Sequence, residues 1–205
     1  MTYEFQFELI EMRFISPQEL LEIFGPTGFT VDASQSWYRM ALVLDLKISS
    51  HQKKIGGRPT PRLDRMVEFI EALNRWLPSS RRRLLWVDHW SNSFPSTHAL
   101  FVMMRTGLGE RRPISDAPGL LFEAYPYHER DQVRIPAEQA AETGTLIGLT
   151  ALLMMNRWDG WLIAEGSSDR IEFWEGNFFF HSAEDNRLEE GEHLMKLFEC
   201  PRDLI

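Results

Sequence analysis

The chain has 205 residues and a formal net charge of −8 at pH 7, with 43% hydrophobic and 25% charged residues. This composition is typical of a globular protein and excludes a disordered or disulfide-rich chain. The longest uncharged apolar run, residues 143–155, is shorter than the ~20 residues of a membrane-spanning helix, so no membrane association is expected.

Cys200 is the single cysteine of the chain, so no internal disulfide forms. Its position near the carboxyl terminus predicts a partly exposed thiol, and without a neighbouring His or a helix start the thiol is expected to be unreactive. The first five residues lack the pattern of a secretion signal. Together these features predict a reducing compartment, the cytoplasm.

The amino-terminal part predicts one strand and one capped helix. Residues 3–9 alternate between apolar and polar side chains, which is the pattern of a half-buried strand. Ser16, Pro17 and Glu19 then combine a capping box with a proline at the first helical position, and the helix is expected to end near Phe24.

The next segment is interpreted as a strand between two loops. The residues that follow Pro26 are polar and predict a loop, and 38–46 is apolar and rich in strand formers. Residues 49–60 are rich in Lys and Gly and predict a mobile connection.

A helix opening at Thr60 and Pro61 and ending before Pro78 is predicted by a buried stripe at three-four spacing. The stripe consists of Leu63, Met66, Val67, Ile70, Leu73 and Leu77. Residues 84–90 and 98–105 are expected to be strands. The Gly- and Pro-containing segment 106–119 is the predicted linker or long loop.

The last third predicts a helix, a meander and a second helix. Residues 136–155 form the first helix, in which Gly144 and Gly148 would let another element approach closely. The meander strands are expected at 160–164, 170–174 and 178–181, and the terminal helix at 189–198. We therefore predict an α+β protein with a mixed or mainly antiparallel sheet and helices packed on one face. It is expected to be a single domain, 1–205, with a possible subdomain boundary at 106–119.

Charge is sorted along the sequence. Residues 47–112 carry thirteen Lys and Arg against five Asp and Glu, whereas the remainder is acidic. The basic segment suggests a nucleic-acid-associated protein as an alternative function. The residues expected to contact phosphate would be Lys53, Lys54, Arg58, Arg81, Arg82 and Arg83.

The main functional hypothesis is that this is a bacterial-type, non-enzymatic acidic protein that binds another protein. Acidic residues alternate with tryptophans near the carboxyl end, and exposed Trp beside charge is common at interface hot spots. The expected partner-binding residues are Trp158, Asp159, Trp161, Glu172, Trp174, Glu175, Glu189 and Glu190. One form of this hypothesis is an inhibitor or immunity-type protein that neutralises a basic partner.

An enzyme with a site assembled from distant residues is the second alternative. Its candidate residues would be His89, His98, Asp159 and His181. The four-residue spacing of His181, Asp185, Glu189 and His193 resembles a metal-binding stripe. Because Gly191 is expected to interrupt the helix, no metal site is predicted. The sequence holds no ligand-binding signature above chance, so no cofactor is predicted.

Overall fold

The computed structural model describes residues 12–36, 39–78, 82–87, 103, 105–113, 116–123 and 137–202. The helices with defined bounds are α1 (Pro17–Phe24), α2 (Leu46–Ser49), α3 (Met66–Trp76), α4 (Ala137–Met155) and α5 (Asp185–Leu197). The strands are β1 (Arg13–Ile15), β2 (Phe29–Ser36), β3 (Arg39–Leu44), β4 (Lys53–Gly57), β5 (Arg83–Val87), β6 (Gly119–Phe122), β7 (Gly160–Ala164), β8 (Arg170–Trp174) and β9 (Asn177–Ser182).

Seven strands form one sheet in the order β1-β6-β5-β7-β8-β9-β4, and β2 pairs with β3 in a separate two-stranded sheet. The pairings between the described strands are antiparallel. The predicted α+β class is confirmed. Strands from both sides of the 106–119 segment are neighbours in the large sheet, since β5 precedes the segment and β6 and β7 follow it.

The first face of the large sheet packs against α3, α4 and α5. Because successive strand residues point to opposite faces, alternate apolar residues of β5 to β9 enter this core. Its buried sheet residues include Leu85, Leu120, Leu162, Ile171, Phe173, Phe178 and Phe180. The helices contribute Phe69, Leu73, Leu146, Leu153, Leu188 and Met195 to the same cluster. α3, α4 and α5 thus pack on one face, as predicted, whereas α1 packs on the other face.

The second face holds a smaller core beneath α1 and the β2–β3 hairpin. Leu84, Trp86, Leu121 and Ile163 point into it from β5, β6 and β7. Trp161 of β7 is partly buried and packs against this cluster. Farther along, the strands β8, β9 and β4 carry charged and aromatic side chains on this face.

The predicted capping box is present at the start of α1. Ser16 Oγ accepts a hydrogen bond from the Glu19 N–H at 3.2 Å, and Glu19 Oε2 accepts one from the Ser16 N–H at 2.9 Å. The meander is also confirmed: β7, β8 and β9 occupy the predicted segments and pair in sequence order. In both cases the signal is local, within about 25 residues of sequence.

Two segments expected to be loops are strands. In β2, Phe29 is buried, Thr30 is exposed and Val31 is intermediate. The strand therefore has an apolar inner face, although the segment as a whole is polar in composition. In β4, Gly56 and Gly57 do not mark mobility. A Cβ atom at Gly56 would lie 2.1 Å from the Phe178 carbonyl oxygen, so glycine here allows close strand packing.

The helices differ from prediction in three details. The segment after Pro61 begins as a 3-10 turn, Leu63–Arg65, and Leu63 and Val67 of the predicted stripe are exposed. The terminal helix starts earlier, at Asp185, and Gly191 lies inside it without interrupting it. No described atom lies within 4 Å of a Cβ at Gly144 or Gly148, so these glycines do not mark a close helix contact.

The 106–119 segment is tied to the fold by a charged network in its described part. Arg112 donates to both Glu110 oxygens and, through Nη2, to the Phe14 carbonyl at 3.0 Å. Arg105 Nη1 donates to the Ala117 carbonyl at 2.7 Å. These bonds join the segment to β1 and fix its own two ends.

Some predictions fall on residues that the structure does not describe. The strand at 3–9 lies outside the described residues, as does most of the strand expected at 98–105. Where that strand is described the prediction is wrong, because residues 103 and 105 are helical, and the helix continues through 106 and 107 of the predicted linker. The prediction of a partly exposed thiol is wrong, because Cys200 is buried, and burial raises its pKa to about 12.

Candidate protein-binding surface

A polar cluster lies on the second face of the sheet, across β7, β8, β9 and β4. We define it by its residues: Gln52, Lys54, Trp161, Arg170, Glu172 and His181. Strand alternation places these side chains on the face opposite α3 and α5. The loop before β4 contributes Gln52, which lies beside the start of β8.

Strand register sets the cluster in two rows. Arg170 of β8 and Lys54 of β4 are the direct partners of His181 of β9, so the three residues form one row across three strands. Trp161 and Glu172 are direct partners in the next row. Directly opposed side chains have Cβ atoms about 4.5–5.5 Å apart, so the members of each row are close neighbours.

His181 and Glu172 form the central hydrogen bond. Nε2 of His181 lies 2.7 Å from Oε2 of Glu172, and a neutral imidazole protonated at Nε2 donates to the carboxylate. Burial is the largest influence on the His181 pKa and lowers it below its ordinary 6.5, although the bond to Glu172 opposes this shift. The ring is therefore neutral at pH 7.

Glu172 remains ionised beside this ring. Burial raises its pKa, but the hydrogen bond from His181 and the surrounding positive charges outweigh burial, and the net pKa lies below the ordinary 4.5. His181 makes the largest contribution that lowers this pKa, followed by the charges of Lys54 and Arg170. The carboxylate thus keeps its charge at neutral pH.

Arg170 is a buried cation, with 7% of its surface exposed. Its Nη1 donates to Gln52 Oε1, and its guanidinium carbon lies 4.9 Å from the centroid of the Trp161 ring. Gln52 in turn donates to the Ser168 carbonyl at 2.8 Å. Burial lowers the pKa of Arg170 to about 10, so it stays charged at pH 7.

Lys54 closes the cluster on the side of the edge strand. Its Nζ lies 4.7 Å from the centroid of the Phe179 ring. The neighbouring Lys53 points to the other face, where it binds Asp185 at 2.7 Å. Two adjacent lysines therefore serve different sides of the sheet.

Trp174 lies at the end of β8 on the same face as Glu172 and is 46% exposed. The two-residue loop after it, Glu175 and Gly176, has positive φ at both positions. Positive φ at both central residues is characteristic of the type I′ turn of a β-hairpin. Asp159 Oδ1 accepts from the Glu175 N–H at 2.8 Å and holds this turn. Trp174 is thereby presented from a fixed backbone.

The structure brings together only part of the predicted partner-binding set. Trp161, Glu172 and Trp174 share the second face, and Glu175 follows them in the turn. Trp158 is 3% exposed and belongs to the first core, and Asp159 is also buried. Glu189 and Glu190 lie exposed on α5, which packs against the first face, so they do not adjoin Trp174.

The residues of the nucleic-acid alternative do not form one surface in the described part of the chain. Lys53 pairs with Asp185, and Arg82 pairs with Glu165 at 3.2 Å. Arg83 is buried, with 2% of its surface exposed. Lys54 and Arg58 are exposed, and Arg81 lies outside the described residues.

The residues of the enzyme alternative are also separated where they are described. Asp159 lies next to Gly160, which is opposite Phe173, whereas His181 is opposite Arg170. Three residues of strand correspond to about 10 Å. His89 and His98 lie outside the described residues.

The four residues that resemble a metal-binding stripe in the sequence are also divided between two elements. His181 belongs to β9, whereas Asp185, Glu189 and His193 belong to α5. Among the described residues, no group of three or more His, Cys, Asp or Glu is placed to hold a metal ion.

Sequence reasoning missed Arg170 and Gln52 as members of the cluster. The alternation of β8 does place Arg170, Glu172 and Trp174 on one face, which is a usable signal. No local pattern indicates that Gln52 reaches Arg170, since 118 residues separate them.

Comparison of the chain with models of protein families, with curated proteins and with solved structures gives no significant match. Within the described part of the chain, no helix combines the length and the apolar character needed to cross a bilayer.

Proposed function

We propose that this chain is a non-enzymatic protein that binds another protein through the second face of the sheet, centred on Trp174. The observation that carries the proposal is the exposure of Trp174 on a fixed strand end, on the same face as Glu172 and next to Glu175 in sequence. A rigid, half-exposed indole next to charged groups offers a large contact area at a small entropic cost.

The partner is proposed to be basic, and the chain to act as an inhibitor or immunity-type protein. The net charge of −8 supports this choice, because an acidic protein attracts a basic one over several ångströms and speeds their encounter. The site of action is proposed to be the cytoplasm, where a lone cysteine stays reduced.

Affinity capture with matched variants tests the proposal. The wild-type chain, Trp174→Ala and Leu46→Ala are immobilised and exposed to an extract of the native host. Leu46 is 82% exposed on α2, so its variant controls for the loss of an apolar surface residue elsewhere. We expect a basic protein to bind the wild type and Leu46→Ala but not Trp174→Ala.

The captured protein is then purified and its affinity measured by calorimetry. Loss of a hot-spot Trp is expected to weaken binding about 30-fold or more, corresponding to about 2 kcal/mol. The association rate is expected to fall as salt is added. Equal binding by both variants, or no protein retained above background, contradicts the proposal.

A further inference from the structure

His181 stands between two cations on one line across the sheet. Its direct partners are Arg170 on β8 and Lys54 on β4. Like charges directly opposite one another on neighbouring strands destabilise a sheet. The arrangement is tolerated at neutral pH because the imidazole between the two cations carries no charge.

The charged groups that face His181 in the described part of the chain are few. β8 supplies Arg170 and Glu172, and β4 supplies Lys54. β7 supplies only the Trp161 ring, whose centroid lies 5.8 Å from that of His181. Protonated His181 would thus make three cations against one carboxylate, and two of these cations, His181 and Arg170, are buried.

We propose that His181 is a proton switch for the partner-binding surface, which releases a basic partner when the ring becomes a cation. The added charge repels Arg170 and Lys54, and it pairs with Glu172, whose negative charge is then unavailable to the partner. Displacement of Arg170 also loosens its contact with Trp161. This inference rests on the proposed function, because the ligand released is the basic protein proposed there.

The acid range in which the switch operates follows from burial. Burial lowers the pKa of His181 below its ordinary 6.5, so the ring takes up its proton on the acid side of that value. The pKa of Glu172 lies below its ordinary 4.5, and the hydrogen bond from His181 is the largest influence that lowers it.

The first test needs no partner. The ring protons of His181 are followed by NMR from about pH 8 to about pH 4 in the wild type, Lys54→Gln, Lys53→Gln and Glu172→Gln. Removing the cation at 54 is expected to raise the titration midpoint by several tenths of a pH unit, and removing the carboxylate at 172 to lower it. Lys53→Gln is the matched control, since Lys53 points to the other face, and no shift is expected.

Tryptophan emission reports the effect on the surface itself. We expect the wild-type emission to change with the same midpoint as the His181 ring, because Trp161 contacts both His181 and Arg170. His181→Gln is expected to lose that change. Equal shifts in Lys53→Gln and Lys54→Gln, or an unaltered emission change in His181→Gln, overturn the switch.

The second test uses the basic protein captured by the wild type. Its affinity below the measured His181 midpoint is expected to be at least threefold lower than at about pH 7.5 for the wild type, and equal at both pH values for His181→Gln. An equal loss in both proteins overturns the release step. If no partner is captured, the proposed function and the release step fail together, whereas the NMR arm still decides whether Arg170, His181 and Lys54 are coupled.

Discussion

Gly191 of α5 lies directly against the ring of Phe180 of β9, so that a Cβ atom at position 191 would come within 2.7 Å of Phe180 Cδ2. Glycine inside a helix is unfavourable by about 1 kcal/mol relative to alanine. The missing side chain instead lets α5 approach the sheet. Close packing between α5 and β9 therefore explains why position 191 is a glycine.

Gly191→Ala is accordingly expected to destabilise the protein, although alanine is the better helix former. Overpacking costs about 1–3 kcal/mol, which exceeds the gain in helix propensity. Urea unfolding followed by circular dichroism measures the difference. Gly144→Ala on the exposed side of α4 is the control and is expected to stabilise by up to about 1 kcal/mol. Equal effects at the two sites would contradict this assignment.

Glu110 is expected to make stability depend on acid. Hydrogen bonds from the Arg112 side chain are the main reason that its pKa is lowered to about 2, and they outweigh the opposing effect of burial. Because the folded pKa lies below the unfolded value, this stabilisation is present above about pH 4.5 and is lost as the pH falls through about 2.

Glu110→Gln is therefore expected to lower the free energy of unfolding at pH 7 by roughly 1.5–3 kcal/mol. The difference from wild type should shrink as the pH falls from about 4.5 toward about 2, as measured by urea unfolding at several pH values. Glu68→Gln removes a partner of Arg65 that is 62% exposed and should change stability by less than about 0.5 kcal/mol. A difference between Glu110→Gln and wild type that is independent of pH would exclude this role of the carboxylate.

Two tryptophans are expected to differ sharply in their contribution to stability. Trp76 is 3% exposed, donates from Nε1 to the Arg187 carbonyl at 2.7 Å and contacts the Phe180 ring. Trp76→Ala should cost about 3–5 kcal/mol. Trp174→Ala should cost at most about 1 kcal/mol, which also makes it a usable binding variant. Comparable losses would show that Trp174 is structural.

The Cys200 thiol is expected to resist alkylation in the folded protein. Burial raises its pKa to about 12, which leaves very little of the reactive thiolate at about pH 8. Iodoacetamide labelling followed by mass spectrometry should be on the order of a hundredfold slower for the native chain than in urea. Equal labelling rates would mean that the thiol is exposed.

The parts of the fold that could be predicted are those with local causes. The capping box of Ser16 and Glu19 and the meander at 160–182 depend on residues close in sequence. β4 could not be predicted in this way, because its partner β9 pairs Lys53 with Ser182, far along the chain. Its Gly56–Gly57 pair indicated flexibility locally but serves close packing in the sheet.

The candidate surface was predictable only in part for the same reason. Strand alternation was enough to place Glu172 and Trp174 on one face. The burial of Arg170 depends on Gln52 and Trp161, which reach it from different segments. The sorting of charge along the sequence also gave limited guidance, since Lys53 and Arg82 of the basic segment bind acidic residues of the last third.

The backbone of Pro201 and Arg202 runs beside the outer margin of β4, where the Arg58 N–H donates to the Pro201 carbonyl at 2.9 Å and Arg202 bridges to Gly57. Trimming by a protease before Pro201 would uncover this edge at Gly57, which has no side chain to shield it. The charges of Lys53 and Lys54 would then be the main feature of β4 that opposes pairing with a strand of another molecule. Storage of such a trimmed form is expected to favour fibrous assembly.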